Sequence, residues 1–170
     1  MVNFFSGQGD NGSTHTLRSG KLSKCNLIIE AIGIVDEASA FFSLAVIHIH
    51  DEGMKALIQQ TQDDLGLIMA EIAGDEQTKL SMARISWLEE KIGFWGKGLK
   101  PSREFINKWK NPASALLNVT RTVVRRAERK IVECFEKKKI NNPEILSYLN
   151  RLSSLIYILQ LNLENDSPGK

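Results

Sequence analysis

Apolar residues recur at intervals of three and four along almost the whole chain after residue 20, and the four prolines lie outside or at the edges of these segments. This spacing places the apolar side chains of each segment on one face of an α-helix. It predicts five helices, over about residues 26–50, 54–73, 76–92, 112–138 and 143–162. Five amphipathic helices in 170 residues favour an all-α, antiparallel five-helix bundle.

The predicted core is clearest on the last two helices. One apolar face of the fourth helix contains Val123, Val124, Ala127 and Ile131. The apolar stripe of the fifth helix consists of Leu149, Leu152, Leu155, Ile156, Leu159 and Leu163. Both sets are predicted to be buried. Asp63 and Asp64, in the second helix, are interpreted instead as part of a solvent-exposed face.

Residues 1–24 have a different composition, rich in glycine and in small polar side chains. Glycines allow positive φ and a close approach to a ligand, so that backbone N–H groups can converge on phosphate oxygens. The alternative is a frayed polar arm. We predict one domain, residues 1–170, with a glycine-rich N-terminal segment (1–24) that is either a phosphate-binding loop or such an arm, a helical bundle (25–165) and a tail (166–170).

The overall charge and the cysteine content narrow the class of protein. A formal net charge of +2 is too small to suggest a general affinity for nucleic acid or membranes, so an anion site must come from local clustering. Cys25 and Cys134 stand far apart and show no metal-ligand spacing, which is typical of a reducing compartment. No apolar run approaches the roughly 18 residues of a membrane span. We expect a cytoplasmic protein.

Residues 120–130, TRTVVRRAERK, concentrate five cations around one carboxylate, Glu128. Arg121, Arg125 and Arg129 are four residues apart and therefore form one ridge of the helix, with Arg126 set off from it. Arginine forks suit phosphate oxygens. The alternative is a surface helix with exposed ion pairs.

Two other helices carry polar residues within apolar surroundings. Asp36 and Glu37 interrupt the first helix, and the arginine ridge is the obvious source of a cation for them. Asn150 and Arg151 interrupt the fifth helix, where an amide could contact a ligand or link two helices. These segments and the glycine-rich loop together suggest an anion site assembled from distant parts of the chain.

In order and spacing, these motifs resemble the trimeric, helical-bundle family of ATP:cob(I)alamin adenosyltransferases. The matching segments are GDNGST at residues 9–14, Lys24, EAIGIVDE at 30–37, RTVVRRAER at 121–129 and YLNRLS at 148–153. The sequence departs from the family at 109–111, where Trp-Lys-Asn replaces the usual Pro-Gly-Gly, and at Ser154, which replaces a frequent aspartate. The usual threonines of the opening loop are Ser6 and Gln8.

The resemblance implies an ATP site formed by the following residues: Ser6, Gly7, Gln8, Gly9, Thr14, His15, Lys24, Arg125, Arg126, Glu128, Arg129 and Asn150. It implies a catalytic role for Arg125 and a cobalamin contact for Phe105. Asp36 and Arg121 match a pair that joins subunits by a salt bridge. No set of protein metal ligands is implied.

The implied reaction transfers the 5′-deoxyadenosyl group of ATP to the cobalt of cob(I)alamin, giving adenosylcobalamin and triphosphate. ATP is the co-substrate, cobalamin the substrate, and Mg²⁺ is expected to accompany ATP. The implied assembly is a homotrimer with sites between subunits, served by a reductase and an adenosylcobalamin-dependent enzyme, without nucleic-acid or membrane partners. Two other functions are compatible with the residues: a non-catalytic helical adaptor or nucleic-acid-binding bundle, and an ATP sensor without cobalamin turnover.

Overall fold

The structure is a computed structural model that describes residues 4–17, 20–99 and 109–165. Within these ranges it contains five α-helices and one two-stranded sheet. The helices are α1 (Leu27–Val46), α2 (Glu52–Ala73), α3 (Met82–Trp95), α4 (Pro112–Glu136) and α5 (Pro143–Asn165). The strands are β1 (Ser13–Thr16) and β2 (Gly20–Ser23). The predicted helical class is therefore confirmed, with an N-terminal hairpin added.

The hairpin corrects the prediction that residues 1–24 form only a loop. Strands β1 and β2 pair antiparallel, with Thr14 opposite Leu22 and His15 opposite Lys21. Each strand has four residues, too few for an alternating apolar pattern to be recognised. Two threonines in β1 favour the extended conformation, because β-branched side chains fit a pleated strand.

Side-chain caps account for the starts of three helices. Asn26 accepts a hydrogen bond of 3.0 Å from the N–H of Ile28, at the start of α1. Asp51 caps α2, and Asn111 caps α4 immediately before Pro112, a residue suited to a first helical turn. Helix α3 begins at Met82, six residues later than predicted. Asp75 explains the delay, since its carboxylate accepts from the N–H of Gln77 (3.0 Å) and holds the chain in a turn.

Helix α1 packs against α4 and α2, α4 packs against α5, and α5 also packs against α3. The α1 and α4 helices run antiparallel: Glu30 forms an ion pair with Lys130, and Glu37 forms one with Arg126. Helices α3 and α5 run in the same direction, as expected when five consecutive helices alternate. None of the helices described is long and apolar enough to cross a membrane.

Both predicted core sets are buried, on α4 and α5 alike. The interpretation of Asp64 as a solvent-exposed residue was wrong. Its side chain is fully buried and accepts hydrogen bonds from Arg84 and Tyr148, both at 2.7 Å. The neighbouring Asp63 is exposed, as predicted. An aspartate at a core position of α2 can be accommodated because two donors from other helices reach it.

Candidate functional site

Glycines shape the N-terminal loop before the hairpin. Gly7 and Gly12 have φ values of +70° and +75°, in the left-handed region where side chains are strained. The N–H of Asp10 donates to the carbonyl of Gly7 (3.2 Å), and the N–H of Gly12 donates to that of Gly9 (3.1 Å). The loop therefore consists of consecutive tight turns, the kind of backbone that can direct N–H groups toward an anion.

Lys24 lies directly against this loop. Its backbone N–H donates to the carbonyl of Gly12 (2.9 Å), which ties the end of the hairpin to the loop. A Cβ atom at position 9 would lie 2.9 Å from the Lys24 Nζ atom and 3.3 Å from its Cε atom. Glycine at position 9 thus leaves room for the ammonium group beside the backbone, where it can add charge to an anion-binding loop.

The other predicted loop ligands remain accessible in part. Ser6, Gln8 and His15 are exposed, and Thr14 is half-buried. The N–H of Gln8 donates a long hydrogen bond of 3.4 Å to the Ser6 hydroxyl. Ser13 differs, because it is 8% exposed and both its hydroxyl and its N–H donate to the Asn11 side chain. Ser13 therefore stabilises the conformation of the loop through hydrogen bonds to Asn11.

The cations of α4 divide into two groups. Arg126 and Lys130 face α1, where Arg126 forms an ion pair with Glu37. Lys130 is 3.1 Å from Glu30 and 3.0 Å from Glu133. The prediction that the ridge of Arg121, Arg125 and Arg129 supplies a cation for the first-helix carboxylates was wrong for Glu37, since its partner is Arg126, which is set off from that ridge. Both partners are about half-exposed, so this is a surface ion pair.

Arg121, Arg125 and Arg129 form no ion pair with a carboxylate among the described residues. Arg121 donates to the Asn118 side chain (2.9 Å), and its Nε atom is buried without a partner. Burial, followed by the nearby charge of Arg125, lowers the pKa of the Arg121 guanidinium. Arg129 donates to the backbone carbonyl of Arg125 (3.0 Å). This unpaired arginine row is therefore available to an anionic ligand.

Glu128 and Asn150 link the arginine helix to α5. The Asn150 amide donates a hydrogen bond of 2.9 Å to the Glu128 carboxylate. Asn150 is exposed and Glu128 is half-buried, so the pair lies at the surface beside the arginine row. The family resemblance assigned both residues to the ATP site, and the structure shows the link between two helices that the sequence left open as an alternative for Asn150.

A pocket of about 410 Å³ adjoins the arginine row. It lies between α4, α5 and the end of α3, and its lining is mainly apolar. Arg121, Arg125 and Tyr157 line it, together with the following residues: Gly96, Leu99, Ser153, Ser154, Ile158 and Leu161. Tyr157 was not among the predicted site residues. Its position nine residues after Tyr148 places it on another face of α5, and only the packing shows that this face borders a pocket.

The hairpin that follows the loop lies near the end of α4, because Thr16 and Leu22 line a cavity together with residues 138–142. The start of α1 lies beside the end of α4, where the Cys134 thiol is 3.8 Å from the carbonyl oxygen of Leu27. Arg125 is nine residues earlier on α4, which corresponds to about 14 Å along the helix axis. Among the described residues, no hydrogen bond or ion pair links positions 6–15 to positions 121–129. Within a single chain, the described contacts therefore do not join the loop to the arginine row.

Three further predictions concern residues at the periphery of this arrangement. Phe105 lies outside the described residues. Asp36 is exposed on α1, and no ion pair joins it to Arg121 within the described part of the chain. Around Lys110 and Asn111, where the sequence departs from the family motif, both backbone N–H groups donate to the Glu164 carboxylate of α5, at 3.1 and 3.0 Å.

Comparison with known proteins gives consistent results. The sequence model of the cobalamin adenosyltransferase family matches residues 4–163. The corrinoid adenosyltransferase PduO of Salmonella typhimurium is 32% identical over 165 residues, which are 94% of this chain and 49% of that protein. A corrinoid adenosyltransferase of Bacillus subtilis is 31% identical over 156 residues, 88% of this chain and 80% of that protein. The chain spans about half the length of the PduO proteins that it matches.

The fold has solved counterparts. One is a variant PduO-type ATP:corrinoid adenosyltransferase from Lactobacillus reuteri complexed with cobalamin and ATP, with a TM-score of 0.86 and 24% identity over 96% of this chain and 94% of that one. Another variant of that enzyme, complexed with ATP, gives a TM-score of 0.85. At this level of identity the similarity establishes the fold.

Proposed function

The chain belongs to the cobalamin adenosyltransferase family, and on this premise we propose that it transfers the 5′-deoxyadenosyl group of ATP to reduced cob(I)alamin. In the proposed reaction, the cobalt(I) electron pair attacks the 5′ carbon and forms a cobalt–carbon bond. The bond between that carbon and the triphosphate oxygen breaks, and triphosphate leaves with the electron pair.

The unpaired arginine row beside an apolar pocket is the observation that best supports this proposal. Arg125 lines the pocket, so a ligand there would contact its guanidinium group and apolar side chains at once. A corrin ring with a neighbouring triphosphate has this combination of surfaces. A nucleic acid would need many phosphate contacts and would have little use for an apolar pocket.

The protein's contribution would be to orient the 5′ carbon and to stabilise charge on the leaving group. Cobalt(I) is itself a strong nucleophile, so the reaction needs no general base. Arg125, Arg129 and Lys24 would place fixed positive charge where negative charge accumulates as the carbon–oxygen bond breaks. Glu128 and Asn150 would hold the nucleotide through hydrogen bonds, with their mutual contact fixing both side chains.

Cobalamin would occupy the apolar pocket, with Tyr157, Ile158 and Leu161 on its α5 side. Phe105 remains the residue that the family resemblance assigns to the corrin. An apolar environment that displaces a lower axial ligand would favour the cobalt(I) state, since the ligands of a cofactor tune its electronic properties.

We further propose a homotrimer in which each site combines the loop of one subunit with the arginine row of the next. Among the described residues, no hydrogen bond or ion pair links the loop to the arginine row within one chain. A second copy could bring the loop opposite the row, with Asp36 and Arg121 as the proposed contact between subunits.

Mg²⁺ would enter with ATP, because this ion is usually held by substrate phosphates and water with few protein ligands. Within the described residues no cluster of three or more His, Cys, Asp or Glu side chains could hold a metal. The ion would add charge to that of Lys24 and the arginines. A reductase that supplies cob(I)alamin and an enzyme that uses adenosylcobalamin are the further partners proposed, and the cytoplasm is the proposed compartment.

An absorbance assay tests the function directly. Purified protein is mixed with chemically reduced cobalamin, ATP and Mg²⁺ under anaerobic conditions, and the light-sensitive spectrum of adenosylcobalamin is followed. We expect product formation that depends on both ATP and protein. ATP binding without product would indicate an ATP sensor. Absence of both binding and product would reject the proposed function.

A further inference from the structure

Three polar side chains from three helices meet in the core, away from the proposed site. Asp64 of α2 is completely buried, and its Oδ2 atom accepts hydrogen bonds of 2.7 Å from Arg84 of α3 and from the Tyr148 hydroxyl of α5. Tyr148 is also completely buried. Burial raises the pKa of Tyr148 well above its usual value, and the negative charge of Asp64 raises it further. The hydroxyl therefore stays protonated and donates at physiological pH.

This Asp64–Arg84–Tyr148 cluster lowers the stability of the core. Both donors share one oxygen of Asp64, while its Oδ1 atom and the Nε atom of Arg84 are buried without a partner among the described residues. Buried polar atoms without partners reduce stability, and apolar replacements of a buried ion pair are often more stable. A cluster that stabilises poorly can still serve to fix the relative positions of the helices it joins.

The turn of α5 that contains Tyr148 contacts three other helices. Tyr148 reaches Asp64 on α2, Arg151 donates to Glu89 of α3 (3.0 Å), and Asn150 donates to Glu128 of α4 (2.9 Å). Positions 148 and 150 are two residues apart, so their side chains point to nearly opposite sides of the helix. The inward contact of Tyr148 therefore opposes rotation of the outward-facing Asn150.

We propose that Tyr148 and Asp64 are positioning residues that set the rotation of α5 and thereby place Asn150 for ATP binding. This inference rests on the proposed function, in which Asn150 contacts the nucleotide. A side-chain atom about 6 Å from the helix axis moves roughly 1 Å when the helix rotates by 10°. A displacement of this size is enough to weaken a contact that depends on hydrogen-bond geometry.

The test is a double-mutant cycle on ATP affinity, measured by calorimetry with MgATP and without cobalamin. Tyr148→Phe removes only the hydroxyl and leaves Asp64 paired with Arg84. We expect it to raise the Kd for ATP about fivefold, equivalent to one ordinary hydrogen bond. In the Asn150→Ala background the same substitution should leave the Kd unchanged, because there is no longer a side chain to position.

The control is Gln160→Leu, which replaces another buried polar side chain of α5, ten residues from Asn150. It should alter stability without changing the Kd. An unchanged Kd in Tyr148→Phe, or an equal increase in both backgrounds, would overturn the positioning role. If wild-type protein binds ATP but Asn150→Ala binds it equally well, the Asn150 assignment and this inference both fail. Should Tyr148→Phe not fold, Asp64→Leu in the same two backgrounds removes the acceptor of the Tyr148 hydroxyl and gives the same comparison.

Discussion

The guanidinium of Arg126 forms an ion pair with the carboxylate of Glu37 across the contact between α1 and α4. Arg125, one residue earlier, forms no ion pair with a carboxylate among the described residues and borders the apolar pocket. Successive residues on a helix differ in direction by about 100°, so the side chains of the two arginines lie on different surfaces of α4. One joins two helices, and the other is available to a ligand.

This difference predicts unequal effects of two alanine substitutions. Arg125→Ala should slow adenosyl transfer by 2–3 orders of magnitude, about the effect of removing one preorganised charge-stabilising donor. Arg126→Ala should slow it less than tenfold, because the charge of Arg126 is already paired. Single-turnover kinetics with saturating ATP would measure both. Equal losses would mean that Arg126 leaves Glu37 and binds ATP, as the family resemblance implies.

Gly9→Ala should weaken ATP binding by about tenfold while leaving the fold intact. The new Cβ atom would lie 2.9 Å from the Lys24 Nζ atom, so the ammonium group must move away from the loop. Loss of one charge-assisted contact accounts for the magnitude. Gly66→Ala on α2 is the matched control, since no atom lies within 4 Å of its Cβ position. Calorimetry that shows equal ATP affinity in both variants would remove Lys24 from the site.

Asp36→Ala tests the proposed subunit contact. Asp36 is exposed on α1 and forms no ion pair with another described residue of its own chain. Its loss should therefore leave the stability of the subunit nearly unchanged but weaken assembly, because Arg121 of a neighbouring subunit would lose its partner. Sedimentation velocity over a range of concentrations would detect the dissociation. Identical sedimentation of variant and wild type would reject the contact.

Glu164→Gln should destabilise the protein by about 1 kcal/mol at pH 7, the usual cost of weakening a helix cap. Burial alone would raise the pKa of Glu164, but the hydrogen bonds from the Ser114 hydroxyl and from the N–H groups of Asn111 and Lys110 outweigh it and lower the pKa. The ionised carboxylate therefore adds stability above pH 4.3, its approximate unfolded pKa. This contribution disappears as the pH falls through the lower, folded pKa.

Denaturant unfolding of wild type and Glu164→Gln at pH 7 and pH 3 measures that difference. The difference in free energy of unfolding between the two proteins should be smaller at pH 3. Glu76→Gln, which changes an exposed carboxylate in the connector between α2 and α3, serves as the control and should have little effect at either pH. A gap that stays constant with pH would show that the charge of Glu164 does not stabilise the start of α4.

The helices and the core could be predicted because burial imposes a repeating pattern over many residues. The stripe from Leu149 to Leu163 is an example, since six apolar positions specify one buried face. The turn around Asp75 could not be predicted in this way. It depends on a few hydrogen bonds that one side chain accepts, and the same residues are compatible with the first turn of a helix.

Side-chain partners were less predictable than helices. A cation partner for Glu37 followed from the need of a carboxylate for a cation, but that partner is Arg126 and not a residue of the predicted ridge. The burial of Asp64 could not be inferred, because its partners, Arg84 and Tyr148, are 20 and 84 residues away in sequence. The pocket at Tyr157 depends in the same way on the packing of three helices.

The antiparallel arrangement of α1 and α4 has a genetic consequence. It places the start of α1, which follows the glycine-rich loop and the hairpin, beside the end of α4, and in the proposed trimer each copy of the chain would contribute to two different catalytic centres. Each proposed centre has two halves, the loop of one chain and the arginine row on α4 of the next. A chain with a damaged loop and a chain with a damaged α4 therefore carry defects in different halves of the centre. When both are made in the same cell, some mixed assemblies contain one centre built entirely from intact halves. Two inactive alleles would then complement each other.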